Sequence, residues 1–506
     1  MKFNSFNSLL RLVFVLKITL FSIQTSFAQY HVEWSAVFGG GFPDKANGGL
    51  VLPSDSGFLL VGSSVSPTQK IWVVRTDKFG KGKWGRTYGE RNMLLEAKAV
   101  AFDSDSGFVV AGSAVLNRAI DADMYVTKLD RNGNEMWSKY YGDRMQEEAY
   151  AIVVEPDGYV MAGYQMSTID YEPDAMLMKL DRDGFKVWAK TFGDVKADYC
   201  YSLAKTFDGG YVLAGTKGNA RGNKGKMFWV IKTDSNGETI WEQTYGESKW
   251  NSANSIIQTS DSCFVAVGFM KADDFESADI YCVKMDAYGM VIWSTVIGSS
   301  TWDEATDVVE TFDKGYAVAA YTKSNDESLS DFRTLKLDID GKLIWEHTFH
   351  RKSLDYPKEI LETYDNGLVL IGATFSEKTV GWDFAVLKYE NNLRPVVDVV
   401  NPYNKFSAFE EKNYPIAFTV LSKSDLKEYK VLVNDRTVFK EKFEVDEEFA
   451  TESEEYKFLT FQHEIQLKEG YNLIEVQVTN FSGVTISEPR YVFVMLPPRF
   501  DFNPFD

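Results

Sequence analysis

The stretch Asp181-Arg182-Asp183-Gly184-Phe185-Lys186-Val187-Trp188-Ala189-Lys190-Thr191-Phe192-Gly193-Asp194 decides the fold, because it is repeated. Copies run from Asp130 to Gly142, Asp234 to Gly246, Asp286 to Gly298 and Asp338 to His350, and a looser copy runs from Asp77 to Gly89. The tryptophans Trp34, Trp84, Trp137, Trp188, Trp241, Trp293 and Trp345 mark a period of about 52 residues. A fixed period of that length belongs to solenoids, propellers and arrays.

Working outward, each period holds four short strand signals. In the second repeat these are Ala97 to Phe102, Phe108 to Gly112, Met124 to Leu129 and Glu135 to Tyr141. Asp103 to Gly107 and Asp130 to Gly133 are turns, where glycine supplies positive φ. Four strands per period is the unit of a propeller blade. Innermost strands begin near Gly49, Ala97, Ala149, Cys200, Ala253, Ala305 and Pro357, which predicts seven blades. Six carry their own tryptophan strand. The seventh ends at Phe384 to Tyr389 without one, and a spare stands at the other end, His31 to Gly39. Residues 31–39 are therefore expected to complete the last blade, so that no sheet edge is left open.

After Arg394 the period stops. Strand signals continue at Ile416 to Val420, Tyr429 to Val433, Phe461 to Gln466, Asn472 to Val478 and Tyr491 to Met495. Their size and alternation fit an immunoglobulin-like sandwich. The predicted plan is a signal peptide over 1–28, an all-β seven-bladed propeller over 29–393, a sandwich over 394–496 and a flexible tail over 497–506. The leader reading rests on Lys2 and Arg11, a short apolar run, and Ser26-Phe27-Ala28 before Gln29. It predicts a secreted, periplasmic or cell-surface protein.

The chain has 54 basic and 73 acidic residues, a net charge of −19. That argues against a nucleic-acid partner, which needs concentrated Lys and Arg. No segment after the leader is long and apolar enough to span a membrane. Cys200, Cys263 and Cys282 replace small core or turn residues of other repeats and are expected to be buried thiols. The four His residues show no metal-ligand spacing.

The fourth repeat reads Gly210-Tyr-Val-Leu-Ala-Gly215, then Trp229-Val-Ile-Lys-Thr-Asp234-Ser-Asn-Gly237, then Trp241-Glu-Gln-Thr-Tyr-Gly246. This resembles the repeat of secreted β-propellers of Bacteroidetes-type bacteria, which often carry a C-terminal immunoglobulin-like module. The phrase Asp-x-x-Gly-x-x-x-Trp is also similar to the tryptophan-docking repeat of quinoprotein dehydrogenases and their non-enzymatic relatives in outer-membrane assembly. Both resemblances cover residues 31–392 and imply architecture. The quinoprotein enzymes have eight blades, an adjacent-cysteine disulfide and a calcium-dependent cofactor pocket. This chain counts seven blades and has no Cys-Cys.

Function is expected on the face where the fourth-to-first and second-to-third connections emerge, since loops on a rigid scaffold carry binding. Trp250 and Trp302 occupy neighbouring connections; with Asp303, Tyr171 and Trp382 they would form a stacking platform for a glycan or protein. Glu96, Glu148, Asp198, Glu304 and Asp355 precede innermost strands. They could ring a channel mouth and hold a structural cation, or cap local backbone N–H groups. Asp123, Asp174, Asp279, Asp331 and Asp383, each five residues before a strand lysine, read as closing turns. No nucleophile–base pair stands out. The expectation is a monomeric, non-catalytic binding or interaction scaffold without a cofactor. The alternatives are a carbohydrate-active enzyme using top-face carboxylates and a structural component of a cell-envelope complex.

Overall fold

The computed structural model describes residues 30–494, apart from short segments at 40–41, 66–67, 91, 104–106, 117–121, 143–144, 168, 170, 195, 219–224, 247–249, 272–276, 324–328, 350–352, 377–380, 392–395, 402–405, 410–412, 423–425, 435, 443–456, 469, 481–483 and 487–489. The leader (1–28) and tail (497–506) readings lie outside them.

Each repeat folds into a four-stranded antiparallel sheet. The first contains Asp44–Val51, Phe58–Val65, Gln69–Thr76 and Gly82–Tyr88, paired in that order. The second runs from Met93–Asp103 to Glu135–Tyr141, and the third from Glu147–Glu155 to Lys186–Phe192. Tyr199–Lys205 to Thr239–Tyr245 and Trp250–Gln258 to Val291–Ile297 follow the same pattern. One parallel pair, Lys226 with Trp250, joins these two into a single eight-stranded sheet. Asp303–Glu310 to Leu343–Phe349 comes next. The last sheet contains Asp355–Glu362, Leu368–Ser376 and Gly381–Asn391, and its outer strand is the N-terminal Tyr30–Phe38.

These sheets stand face to face around a closed circuit, and the arrangement is a β-propeller. One apolar cluster bridges each successive pair of sheets, from Leu59, Val61 and Val110 between the first two onward. The final cluster returns to the start. It joins Val369, Ile371, Phe384 and Val386 of the last sheet to Ala46, Phe58 and Leu60 of the first, with Trp34 and Phe38 packed against it. The second and third strands are apolar runs because both of their faces are covered.

The repeated phrase explains how neighbours dock. Its aspartate accepts the backbone N–H groups two and four residues on, as Asp234 does from Asn236 and Glu238 at 2.8 and 2.9 Å. The turn places Gly237 at φ +77°, with the ring of Trp188 from the preceding sheet against its Cα; a Cβ there would lie 2.9 Å from that ring. Gly80, Gly133, Gly184, Gly289 and Gly341 receive Trp34, Trp84, Trp137, Trp241 and Trp293 in the same way. Glycine is required twice over, for the left-handed φ and for the close approach. Trp34 docks on Gly80 of the first sheet although it lies in the last. Trp345 has no such glycine ahead of it and packs on Tyr30 and Tyr389, each at 5.6 Å between centroids.

The strand lysines lie about 17 Å along an extended strand from the aspartates five residues upstream. Lys128, Lys284, Lys336 and Lys388 instead reach Asp103, Asp261, Asp313 and Asp365 in the first hairpin turn, at 2.7–3.0 Å. Asp123, Asp279 and Asp383 sit at the other rim, against Gly142, Gly298 and Gly39.

The C-terminal strands form two further sheets. One is ordered Val396–Asn401, Asn413–Ser422, Lys457–Gln466. The other is ordered Phe406–Phe409, Arg490–Val494, Gly470–Asn480, Leu426–Val433, Arg436–Lys442, with Val484–Ile486 on Gly470–Asn480. Ile416, Phe418 and Val420 of the first share a core with Tyr429, Val431, Ile474, Val476 and Val478 of the second. Two sheets packed through one apolar layer are a β-sandwich.

Candidate functional site

Every innermost strand carries a β-bulge at the same point. The pairing slips by one residue between Ala46 and Gly48, Ala97 and Ala99, Ala149 and Ala151, Cys200 and Ser202, Ala253 and Ser255, Ala305 and Asp307, and Pro357 and Glu359. The extra residues are Asn47, Lys98, Tyr150, Tyr201, Asn254, Thr306 and Lys358. A bulge bends its strand and re-aims side chains. All seven line a cavity of about 540 Å³ on the propeller axis. Phe269, Lys226, Thr216, Glu304, Asp307 and Glu359 also line it.

Strands are tied to their neighbours around this cavity. Asn47 donates to Glu96 and to the Ala97 carbonyl, at 2.9 and 2.8 Å. Asn254 repeats this with Glu304 and Ala305, at 3.0 and 2.8 Å. The residue after the bulge accepts a backbone N–H from the next sheet. Ser202 accepts from Ile256 at 3.1 Å, Asp307 from Ile360 at 2.9 Å and Glu359 from Gly49 at 2.5 Å. The last of these straps the seventh repeat to the first. Burial raises the Asp307 and Glu359 carboxyls above their ordinary range, and the charge of Asp307 raises Glu359 further.

Aromatic rings extend from the cavity towards the rim. Phe269 packs on Trp302 at 5.4 Å, and Lys271 and Lys323 lie over the Trp302 ring at 5.0 and 5.2 Å. Glu304 accepts from Trp302 Nε1 at 3.0 Å and from the Tyr321 hydroxyl at 2.6 Å. Tyr321 meets Tyr356 at 5.0 Å, and Tyr356 meets Trp382 at 5.5 Å, with Lys45 over Trp382. On another side Tyr150, Tyr164, Tyr199 and Tyr201 form a second cluster.

The residues singled out in the sequence divide accordingly. Trp302 and Trp382 belong to the same aromatic arc. Trp250 is half-buried, with its backbone between Lys226 and Lys271, and its ring meets no other aromatic ring among the described residues. Asp303 does not face a ligand: it is fully buried, ion-paired with Arg333 at 2.8 Å and hydrogen-bonded by the Ser299 N–H. Tyr171 is 71% exposed, in the left-handed region, away from the cavity lining.

The acidic series does not form one ring. Glu96, Glu148 and Glu304 stand directly before the alanine, whereas Asp198 and Asp355 stand one residue earlier and are buried. Adjacent strand positions face opposite ways, so the five carboxylates cannot converge. Asp198 accepts the N–H groups of Asp194 and Gly218, both at 2.8 Å. Among the described residues no three His, Cys, Asp or Glu side chains come together as a metal site.

Cys200 and Cys282 are buried, and burial pushes both thiols up to about 12; Cys263 is half-buried. Lys226 ends the basic, glycine-rich segment Lys217 to Lys226, which the sequence marks as able to contact an acidic partner. Lys98 and Lys358 are not singled out by the sequence; their repeat position changes residue type in almost every repeat.

No protein-family model matches the chain, and no curated protein sequence matches it. Solved structures of similar fold include Sqt1 from Chaetomium thermophilum, at 12% identity and TM-score 0.41, covering 72% of this chain and 100% of that one. The β-propeller domain of the Trilobed protease from Pyrococcus furiosus is 11% identical, with TM-score 0.38, covering 71% and 96%. An acylaminoacyl peptidase from Pyrococcus horikoshii is 10% identical, with TM-score 0.39, covering 78% and 59%. These likenesses say nothing about activity. Among the described residues no helix is long and apolar enough to cross a membrane.

Proposed function

We propose that the chain is a non-catalytic, extracytoplasmic binding scaffold that takes a glycan at the axial end of a seven-bladed propeller. The N-terminal strand closes the ring, and the sandwich after it is immunoglobulin-like. The observation that carries this reading is the joining of Phe269, Trp302, Tyr356 and Trp382 to a polar cavity of about 540 Å³. Flat aromatic faces beside amides, hydroxyls and charges suit a sugar, which has an apolar face and a polar rim.

Binding is favoured over hydrolysis because the carboxylates are already engaged. Glu304 accepts three side-chain donors. Asp307 and Glu359 strap neighbouring sheets, and Glu96 holds Asn47 and Lys98. A free acid–base pair is what glycoside cleavage requires.

The test is calorimetric titration of the full chain with neutral oligosaccharides. Trp302→Ala and Trp382→Ala are each expected to weaken the bound sugar about tenfold, with the melting temperature checking that the ring remains folded. Unchanged affinity in both variants, or release of reducing ends from the sugar, contradicts the reading.

A further inference from the structure

The axial cavity contains two ammonium groups without counter-ions. Lys226 and Lys358 both line it, and among the described residues neither makes a hydrogen bond or an ion pair. Lys226 rests over the ring of Tyr199 at 5.0 Å. Lys358 is open to the channel yet enclosed by protein on its other sides. Its charged neighbours are Glu304, Glu96, Lys98 and Lys45. Burial pushes both ammoniums below their ordinary range.

The acids nearby do not serve them. Lys98 takes Glu96 at 3.0 Å. Both oxygens of Glu304 are held by Asn254, Trp302 and Tyr321. Ser255 donates to Asp307 at 2.6 Å, and the Ile360 and Gly49 N–H groups hold Asp307 and Glu359. Both ammoniums reach into the channel without an anion partner among the described residues, and a carboxylate entering the cavity would gain charge-assisted hydrogen bonds from them.

We infer that the cavity recognises the carboxylate of an acidic saccharide, a uronate-type unit, with Lys226 and Lys358 as its counter-ions. This rests on the glycan reading above and names its class. The other lining groups fit the remainder of such a unit. Asn47, Asn254, Ser202, Thr216, Ser252 and Thr306 can exchange hydrogen bonds with ring hydroxyls, and Tyr150 and Tyr201 offer faces. A bare inorganic anion would not use the aromatic faces.

The experiment titrates the full chain with an oligogalacturonate, its neutral methyl ester and sodium sulfate at equal ionic strength. The wild type is expected to bind the acid about tenfold more tightly than the ester. Lys226→Met and Lys358→Met should each reduce that acid-over-ester preference, while Lys358→Arg retains it. Equal affinity for acid and ester, or a preference that survives both Met changes, overturns the inference and leaves the glycan reading standing. Sulfate binding as tightly as the oligogalacturonate overturns the sugar specificity. Failure of both sugars to bind overturns the inference and the glycan reading together.

Discussion

A protein lacking residues 30–38 is expected to lose the cooperative melting of the ring near the temperature of the intact chain. The deletion removes the outer strand of the last sheet, which pairs with Gly381–Asn391 along its length. It also removes buried Tyr30 from the sixth-to-seventh interface and Trp34 from its seat on Gly80. Burying a large aromatic is worth about 3–5 kcal/mol when measured by truncation to Ala. Buried Tyr30, half-buried Trp34 and the strand's ladder together exceed about 5 kcal/mol, comparable with the whole stability of many domains. Scanning calorimetry measures it. Trp34→Ala, which keeps the strand, should fall between the two. A truncated protein that melts like the full chain contradicts closure by the N-terminal strand.

Asp103→Ala carries the second large effect. The Asp103 carboxylate is fully buried and accepts Lys128 at 2.9 Å, Arg182 at 2.8 Å and the Tyr159 hydroxyl at 2.8 Å. Removing it leaves the buried Lys128 without its anion, a change that costs about 3–5 kcal/mol. Asp208→Ala deletes the equivalent partner of Lys232, but Asp208 is 60% exposed. Lys232 is as buried as Lys128 but keeps its hydrogen bond to the Thr233 carbonyl at 2.8 Å, and its lost partner was solvated, so that change should cost less than Asp103→Ala. Denaturant midpoints separate the two. Burial alone would raise the Asp103 carboxyl, but Lys128, Tyr159 and Arg182 overcome it and hold it at about 2. Its folded value therefore lies below its unfolded one. The stability it supplies is present above about pH 4 and fades as the pH falls towards about 2. In Asp103→Ala the melting temperature should fall less steeply across that window. A parallel profile contradicts the role given to this carboxylate.

The architecture was legible because its determinants are periodic. Trp188 and its copies must meet a turn glycine one repeat ahead, so both recur at fixed distance. The surplus Trp34 could be assigned to the last sheet by counting alone. The bulges were not legible. One extra residue after Ala97 or Ala305 changes which side chains face the axis, and nothing in the alternation of Ala97 to Phe102 announces it. The acids precede the bulge by different counts: Asp198, Asp303 and Asp355 stand two residues before its leading residue and Glu96, Glu148 and Glu304 one, so strand alternation turns the two sets to opposite faces. Lys98 and Lys358 carry no repeat signature, because their position is Asn, Lys, Tyr, Tyr, Asn, Thr and Lys in turn. Departure from the repeat at an axial position marks a site better than agreement with it, since the architecture makes no demand there.

The most direct measurement is a difference electron-density map from crystals of the full chain soaked with an oligosaccharide. The account predicts density on the propeller axis, against Tyr201, Phe269 and Trp302, with any carboxylate within ion-pair distance of Lys226 or Lys358. Sugar density confined to the outer strands or the C-terminal sheets, with the axial cavity holding only solvent, would contradict it.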